Sequence, residues 1–310
     1  MSAALVRLQV ATTAQGLRVD QGLALLLPEL SRRRAQRLIE EGRVWLDGRP
    51  TRKGDLLRAG QVLEVDLDDD GAAHPTGELT LRLLSETVDW VAIDKPAGLP
   101  SAALPGRATR TAASALLASY PEMAGVGYGP REPGLIHRLD TQTSGVLLAA
   151  RTQHAFTCLR AALRDGALDK SYWAIVTSPP PREHGEVTAP LLPDPQDRRR
   201  VKVAAEGTAA HTSYRILGRG QSLILIEAHA SHAYRHQVRA HLAHLGCPLW
   251  GDPLYGGLGA GPRHALHARA VSGQVELGPS SGPAQLHVTA PLADDLQELL
   301  EADGLTPPRW

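Results

Sequence analysis

Between Ser31 and Gly42 the chain reads SRRRAQRLIEEG, and its apolar positions Ala35, Leu38 and Ile39 recur at helical spacing. Ser31 stands where an N-cap belongs and Gly42 where a helix stops, so the pattern predicts a helix. Arg33 and Arg37 lie one turn apart on a shared face, away from the apolar stripe. RVWLDGR then reads as a strand, an Asp47-Gly48 turn and a second strand, and GQVLEVDL as a further strand. Two short helices followed by a small sheet are expected here.

From Leu79 onward, strand and helix patterns follow one another irregularly. LTLRLL, VDWVAID, GVLLAA, KSYWAIV, HTSYRIL and SLILIEAHA read as strands. TAASALLASY, TQHAFTCLRAALRDG, HQVRAHLAHLG and DDLQELLEA read as helices, the second capped by Thr152 and ended by Gly166. Helices do not separate every pair of strands, so the expected fold class is α+β with a mixed, largely antiparallel sheet, not a doubly wound one. SPPPREHG and PDPQDRRRVK read as exposed loops, and the second adds a basic patch. No repeat of about 20 to 50 residues is visible.

Composition sharpens this picture. With 310 residues and 43% hydrophobic side chains, the chain supports one large core and a small satellite domain. It has one Phe, so that core must be built mainly from Leu, Val, Ile and Ala. The 33 basic and 33 acidic residues cancel, and any attraction to nucleic acid has to be local. The Arg-rich N-terminal stretch gives way to EVDLDDDGAAHPTGE at Glu64 to Glu78, which is linker-like in composition. Domains are therefore expected at 1–68 and 79–310, joined by an acidic linker at 69–78. No run of about 18 apolar residues occurs, and no cleavage signal follows the N-terminal apolar run that Arg7 interrupts. A soluble, unsecreted, cytoplasmic protein without a membrane partner is expected. Cys158 and Cys247 stand alone, which supports neither a disulfide scaffold nor a thiolate zinc site.

Candidate chemistry enters at GLIHRLDTQTSGVLLAART, from Gly134 to Thr152. A carboxylate just before a polar turn, as Asp140 is, reads in isolation as a cap or turn residue. In its setting the stretch resembles the HRLDxxTSG signature of the RluA-type pseudouridine synthases. IDKPAGL, DKSYWAIV, RHQVRAHLAHLGCPLWGDPLYGG, ALHARAV and TAPLADDLQELL resemble further segments of that family, in its order. Leu17 to Val65 resembles the alpha-L RNA-binding domain of ribosomal small-subunit protein four.

The resemblance implies a pseudouridine synthase fold and an isomerisation without cofactor or metal. The bond from uracil's ring nitrogen to the ribose breaks, and the base is rejoined through carbon 5. Asp140 is implied as the reacting carboxylate; attack on the anomeric carbon, attack on the ring and assistance to a glycal-forming step all stay open. Arg239 is implied as its charge partner, with a fork able to grip a carboxylate in two places. Tyr172 is either a core tyrosine or, on the resemblance, a platform under the flipped uracil. Substrate contacts are implied for His137, Arg138, Thr143, Ser144, His236 and Gln237, and Lys95, placed at the sheet edge, is either a structural residue or a phosphate contact. Phosphate contacts of the N-terminal domain are implied for Arg32, Arg33, Arg37, Arg52 and Lys53. The expected partner is RNA, of the large ribosomal subunit or else transfer RNA, and the expected state is a monomer. One departure stands out: His232-Ala233-Tyr234-Arg235 replaces the family's Thr-Gly-Arg-Thr.

Rival readings have weaker support. His232, His236, His241 and His244 crowd one segment, but their spacing is not HExxH, so a zinc hydrolase is disfavoured. A non-catalytic RNA chaperone is opposed by the intact Asp140, Tyr172 and Arg239 positions. GGLGAGPRH lacks the strand and helix that a phosphate loop needs.

Overall fold

The computed structural model describes residues 5–28, 30–40, 42–52, 54–67, 73, 75–77, 79–103, 110–230, 234–259, 261–277 and 283–308. Lys53, most of the expected linker, and His232 and Ala233 lie outside the described residues, as does the side chain of Arg37. The chain forms two compact units, residues 1–70 and 71–310.

In the first unit, strand β1 (Leu5–Gln9) precedes helices α1 (Val19–Leu26) and α2 (Arg32–Glu40). Strands β2 (Val44–Leu46), β3 (Arg49–Pro50) and β4 (Val62–Asp66) complete an antiparallel sheet in the order β1-β4-β2-β3. The Arg34 N–H donates to Ser31 Oγ at 3.3 Å, so Ser31 does cap α2. Gly42 ends it with φ +71°, in the left-handed region open to glycine. Asp47 (φ 50°) and Gly48 (φ 74°) make the tight hairpin turn between β2 and β3. Leu23, Ala35, Leu38, Val44, Leu63 and Val65 form the core. Strand β1 was not expected from the sequence. Its pairing partner β4 lies more than fifty residues away (Arg7 opposite Glu64), and local pattern carries no sign of that.

The second unit opens with β5 (Arg82–Glu86), β6 (Trp90–Lys95), α3 (Ala112–Ser119), β7 (Ser144–Ala150) and α4 (Gln153–Arg164). There follow β8 (Leu168–Val176), β9 (His184–Thr188), the hairpin β10 (Leu191–Pro193) and β11 (Val201–Val203), β12 (His211–Arg219) and β13 (Ile224–His229). Helix α5 (Gln237–His244), β14 (Leu266–Glu276), β15 (Pro283–Thr289) and α6 (Asp294–Ala302) end it. The main sheet runs β5-β6-β7-β14-β8-β13-β12-β9, with β15 also on β14. Its named pairings are antiparallel except β7 with β14. The mixed α+β architecture therefore stands.

Strand β8 alternates as its sequence dictates: Tyr172, Ala174 and Val176 enter one core cluster, Trp173 and Ile175 another. All seven residues of β7 are buried, which explains its unbroken apolar run. Helix α4 starts from the Thr152 cap, which accepts the Ala155 N–H at 3.1 Å, and packs Phe156, Leu159 and Leu163 inward. Strands β9, β10, β11, β14 and β15 went unread. β11 begins inside the stretch read as a basic loop, and β14 starts within ALHARAV, noticed only as a motif.

The candidate active site

The segment bearing Asp140 lies just before β7, where β7 meets β14 in their parallel contact at His267 and Ser144. Gly145 has φ +108°, and a Cβ there would collide with the Ala268 carbonyl, so the signature's glycine lets the two strands meet. Bolts hold the loop from several sides. Thr143 Oγ1 is 2.8 Å from His264 Nε2, and Ser144 Oγ is 2.9 Å from His267 Nδ1. The Arg263 guanidinium donates to the Gln142 carbonyl at 3.0 Å and to Ser144 Oγ at 3.2 Å. Ser101 Oγ bonds both backbone polar groups of Leu139. Both hydroxyls are thus bonded within the protein, and of the two residues Thr143 also lines a cavity together with Asp140.

Lys95 requires a correction. It is 0% exposed, lies on an inner strand of the sheet, and donates to the carbonyls of Pro96, Leu99 and Thr141. All three N–H groups are taken, so it anchors the Asp140 loop, the structural one of its two expected roles, and it lies inside the sheet and not at its edge. Burial, with the Arg263 charge, pulls its pKa down to about 7.

Arg239, in the third position of α5, reaches Asp140: Nη1 donates to Oδ2 at 2.7 Å. The two-point grip expected of its fork goes elsewhere. Nε and Nη2 hold Asp252 Oδ2 and Oδ1 at 2.8 and 2.9 Å, and the Asp252 side chain is 0% exposed. Asp252 is the Asp of GDPLYGG, a motif noted in the sequence without a role for its carboxylate. Tyr255 of the same motif lies 5.1 Å from the guanidinium carbon, and its hydroxyl is 3.1 Å from His236 Nδ1. Arg239 is thus locked before it meets Asp140.

Asp140 itself is 25% exposed. His236 Nε2 stands 3.6 Å from Oδ1, beyond hydrogen-bond range, so among the described residues that oxygen keeps its lone pairs free. Burial works to raise the carboxyl's pKa, but the facing charges of His236 and Arg239 outweigh it and hold it below the ordinary value. His236 is pushed down to about 4 by burial and is neutral at neutral pH, so Arg239 supplies the permanent charge. An ionised oxygen faces a cavity of about 680 Å³, within the range of ligand-binding clefts.

Tyr172 lines that cavity together with Asp140, His137, Arg138 and Gln237. Burial, with the Asp140 charge, raises its phenol well above the ordinary value, so it stays protonated. His137 is buried, accepts the Leu148 N–H at 3.3 Å, and is held at about 3 by burial, hence neutral. Arg138 is mostly exposed, 3.5 Å from Glu132. Gln237 fixes the start of α5 by donating to the His211 carbonyl at 2.7 Å. In the departed loop, Arg235 donates to the carbonyls of Arg198 and Arg199 between β10 and β11. His241, one of the crowded histidines, has one ring nitrogen on Thr212 Oγ1 and the other on the Ala189 carbonyl.

In the first unit, Arg32, Arg33 and Arg52 are all exposed, and Arg32 shares its charge with Asp20 at 2.9 Å. Asp20, absent from the sequence reading, also accepts from Arg18 and Gln36.

A family model described as RNA pseudouridylate synthase matches residues 89–244, and one described as S4 domain matches residues 17–63. The chain belongs to the RNA pseudouridylate synthase family, whose enzymes are isomerases. An uncharacterised RNA pseudouridine synthase of Chloroflexus aurantiacus is 39% identical over 300 residues, covering 94% of this chain and 91% of that one. Ribosomal large subunit pseudouridine synthase D of Xanthomonas campestris is 36% identical over 309 residues, with the same two coverages of 94% and 91%. Among solved structures, human RNA pseudouridylate synthase domain containing 4 superposes with a TM-score of 0.57. It is 23% identical and covers 74% of this chain and 95% of its own, a likeness of fold.

Proposed function

We propose that this chain isomerises uridine in large-subunit ribosomal RNA and that Asp140 is the reacting carboxylate. The observation that carries the second part is the 2.7 Å bond from Arg239 to one oxygen of Asp140, with the other oxygen unbonded at the cavity. Desolvation favours a protonated, unreactive acid, and the guanidinium opposes this without covering the lone pairs that must act. Tyr172 supplies a buried ring in the same cavity. Stacking a base there returns about 1 to 3 kcal/mol, comparable to the few kcal/mol that extrusion costs. The ribosomal target is supported by relatives named ribosomal large subunit pseudouridine synthase D, such as that of Pseudomonas aeruginosa, 32% identical over 301 residues.

The test maps pseudouridines in ribosomal and transfer RNA from cells with the gene, without it, and complemented by Asp140→Asn. The expected result is loss of a large-subunit site, restored by the wild type and not by the variant. Loss confined to transfer RNA would overturn the target, and restoration by the variant would overturn the role of Asp140.

A further inference from the structure

The cavity has a second end that the chemistry at Asp140 does not use. Tyr128 lines it and is 76% exposed, an unusual state for so large a ring. The ring is nonetheless held. Phe156, the only Phe in the chain, meets it edge-on at 5.0 Å between centroids and 85° between planes. The Arg160 guanidinium carbon sits 5.4 Å from its centroid. Phe156 and Arg160 are one turn apart on α4, so a rigid helix presents both to the tyrosine. The preceding residue is pinned as well: the Gly127 N–H donates to Gln153 Oε1 at 2.8 Å.

Charge around the ring suits a polyanion. Arg138, Arg160 and Lys170 line the same cavity, with Glu132 as the neighbouring acid. Arg160 also donates to the Ile136 carbonyl at 2.7 Å, which ties this end to the strand of chain leading to Asp140. From Ile136 to Asp140 the chain spans no more than about 14 Å. A single strand lying in this one cavity can therefore meet residues on both sides of that short segment.

We propose that the exposed ring of Tyr128, braced by Phe156 and Arg160, is a second base platform that stacks an unpaired nucleobase flanking the target uridine. The arrangement is that of single-strand sites generally: a cationic groove for the backbone and an aromatic face for a base of any identity. The proposal rests on Asp140 marking the reacting end of the cavity.

The experiment measures Kd of the full-length protein for a fluorescent single-stranded oligouridylate and for the same backbone with abasic sugars. Tyr128→Ala weakens oligouridylate binding roughly 5- to 150-fold, the equivalent of one lost stack. Tyr128→Leu, which keeps Phe156 covered, loses as much, whereas Tyr128→Phe stays within about twofold. On the abasic strand, the wild type and Tyr128→Ala bind alike. Equal affinity of wild type and Tyr128→Ala for oligouridylate overturns the platform, as does an equal loss on the abasic strand or full retention by Tyr128→Leu. These outcomes are read from binding and not from turnover, so failure of the platform is distinguishable from failure of the role given to Asp140.

Discussion

Two carboxylates in this chain are each faced by cations, and they end in opposite states. Asp20 in the first unit is 3% exposed, and Arg18, Arg32 and Gln36 occupy both its oxygens at 2.8 to 2.9 Å. Asp140 in the second unit is 25% exposed, with a single hydrogen bond on one oxygen. Burial pushes both pKa values up and the partners pull both down, that of Asp20 to about 2. Ionisation is thus common to the two and does not separate a scaffold carboxylate from the proposed reagent. Free lone pairs facing a cavity do. Asp252 makes the point within one site: it takes two of Arg239's bonds, is sealed from solvent, and leaves the third for Asp140.

The sharpest break in the comparison is Asp140→Asn. Single-turnover pseudouridine formation should fall by at least about 100- to 10,000-fold, while RNA affinity moves less than twofold. Retained turnover would place Asp140 beside Asp20 as scaffold. Asp252→Asn should instead act on stability, because it leaves a buried guanidinium half-compensated. A loss of about 3 kcal/mol in urea denaturation is expected, and a loss below about 1 kcal/mol would deny Asp252 that role.

Arg239→Gln sharpens the electrostatic half of the argument. Asp140 is held below the ordinary carboxylate value in the wild type, so the acid limb of kcat/KM is expected below the ordinary carboxylate range. Without the guanidinium, burial is opposed by His236 and His264 only, and this acid limb shifts upward in pH; an unmoved limb refutes the pairing. For Asp20 the folded pKa lies below the unfolded one. Its contribution to stability is present above the ordinary value near 3.8 and is lost as pH falls toward about 2. Acid unfolding followed through Trp45, the one tryptophan in residues 1–70, should show this transition, and Asp20→Asn should remove it. The smallest effect is expected from Arg33→Ala, which leaves turnover on a short RNA unchanged and lowers the slope of log Kd against log salt by about one; an unchanged slope would remove Arg33 from the phosphate-contact set.

Much of the molecule was legible without coordinates wherever the cause is local. The Ser31 and Thr152 caps, the Gly42 stop, the Asp47-Gly48 turn and the alternation of β8 each depend on neighbours within a turn or a pleat. The motif around Asp140 and the helix bearing Arg239 were also visible, as were the acidic and basic stretches. Their meeting was an expectation taken from resemblance, since 99 residues separate the two in sequence.

What folding alone decided are the choices among partners. Any of several acids in the chain could have taken Arg239's fork, and only packing against Asp252 used two of its bonds and left one. Lys95 reads as either a structural residue or a phosphate contact until burial and three carbonyls consume its donors. Strand β1 was hidden because β4 lies far along the chain, and β14 because its partners β7 and β8 do too. Periodicity records which face of an element is apolar; desolvation and hydrogen-bond saturation depend on what arrives from elsewhere, and no window of neighbouring residues contains that.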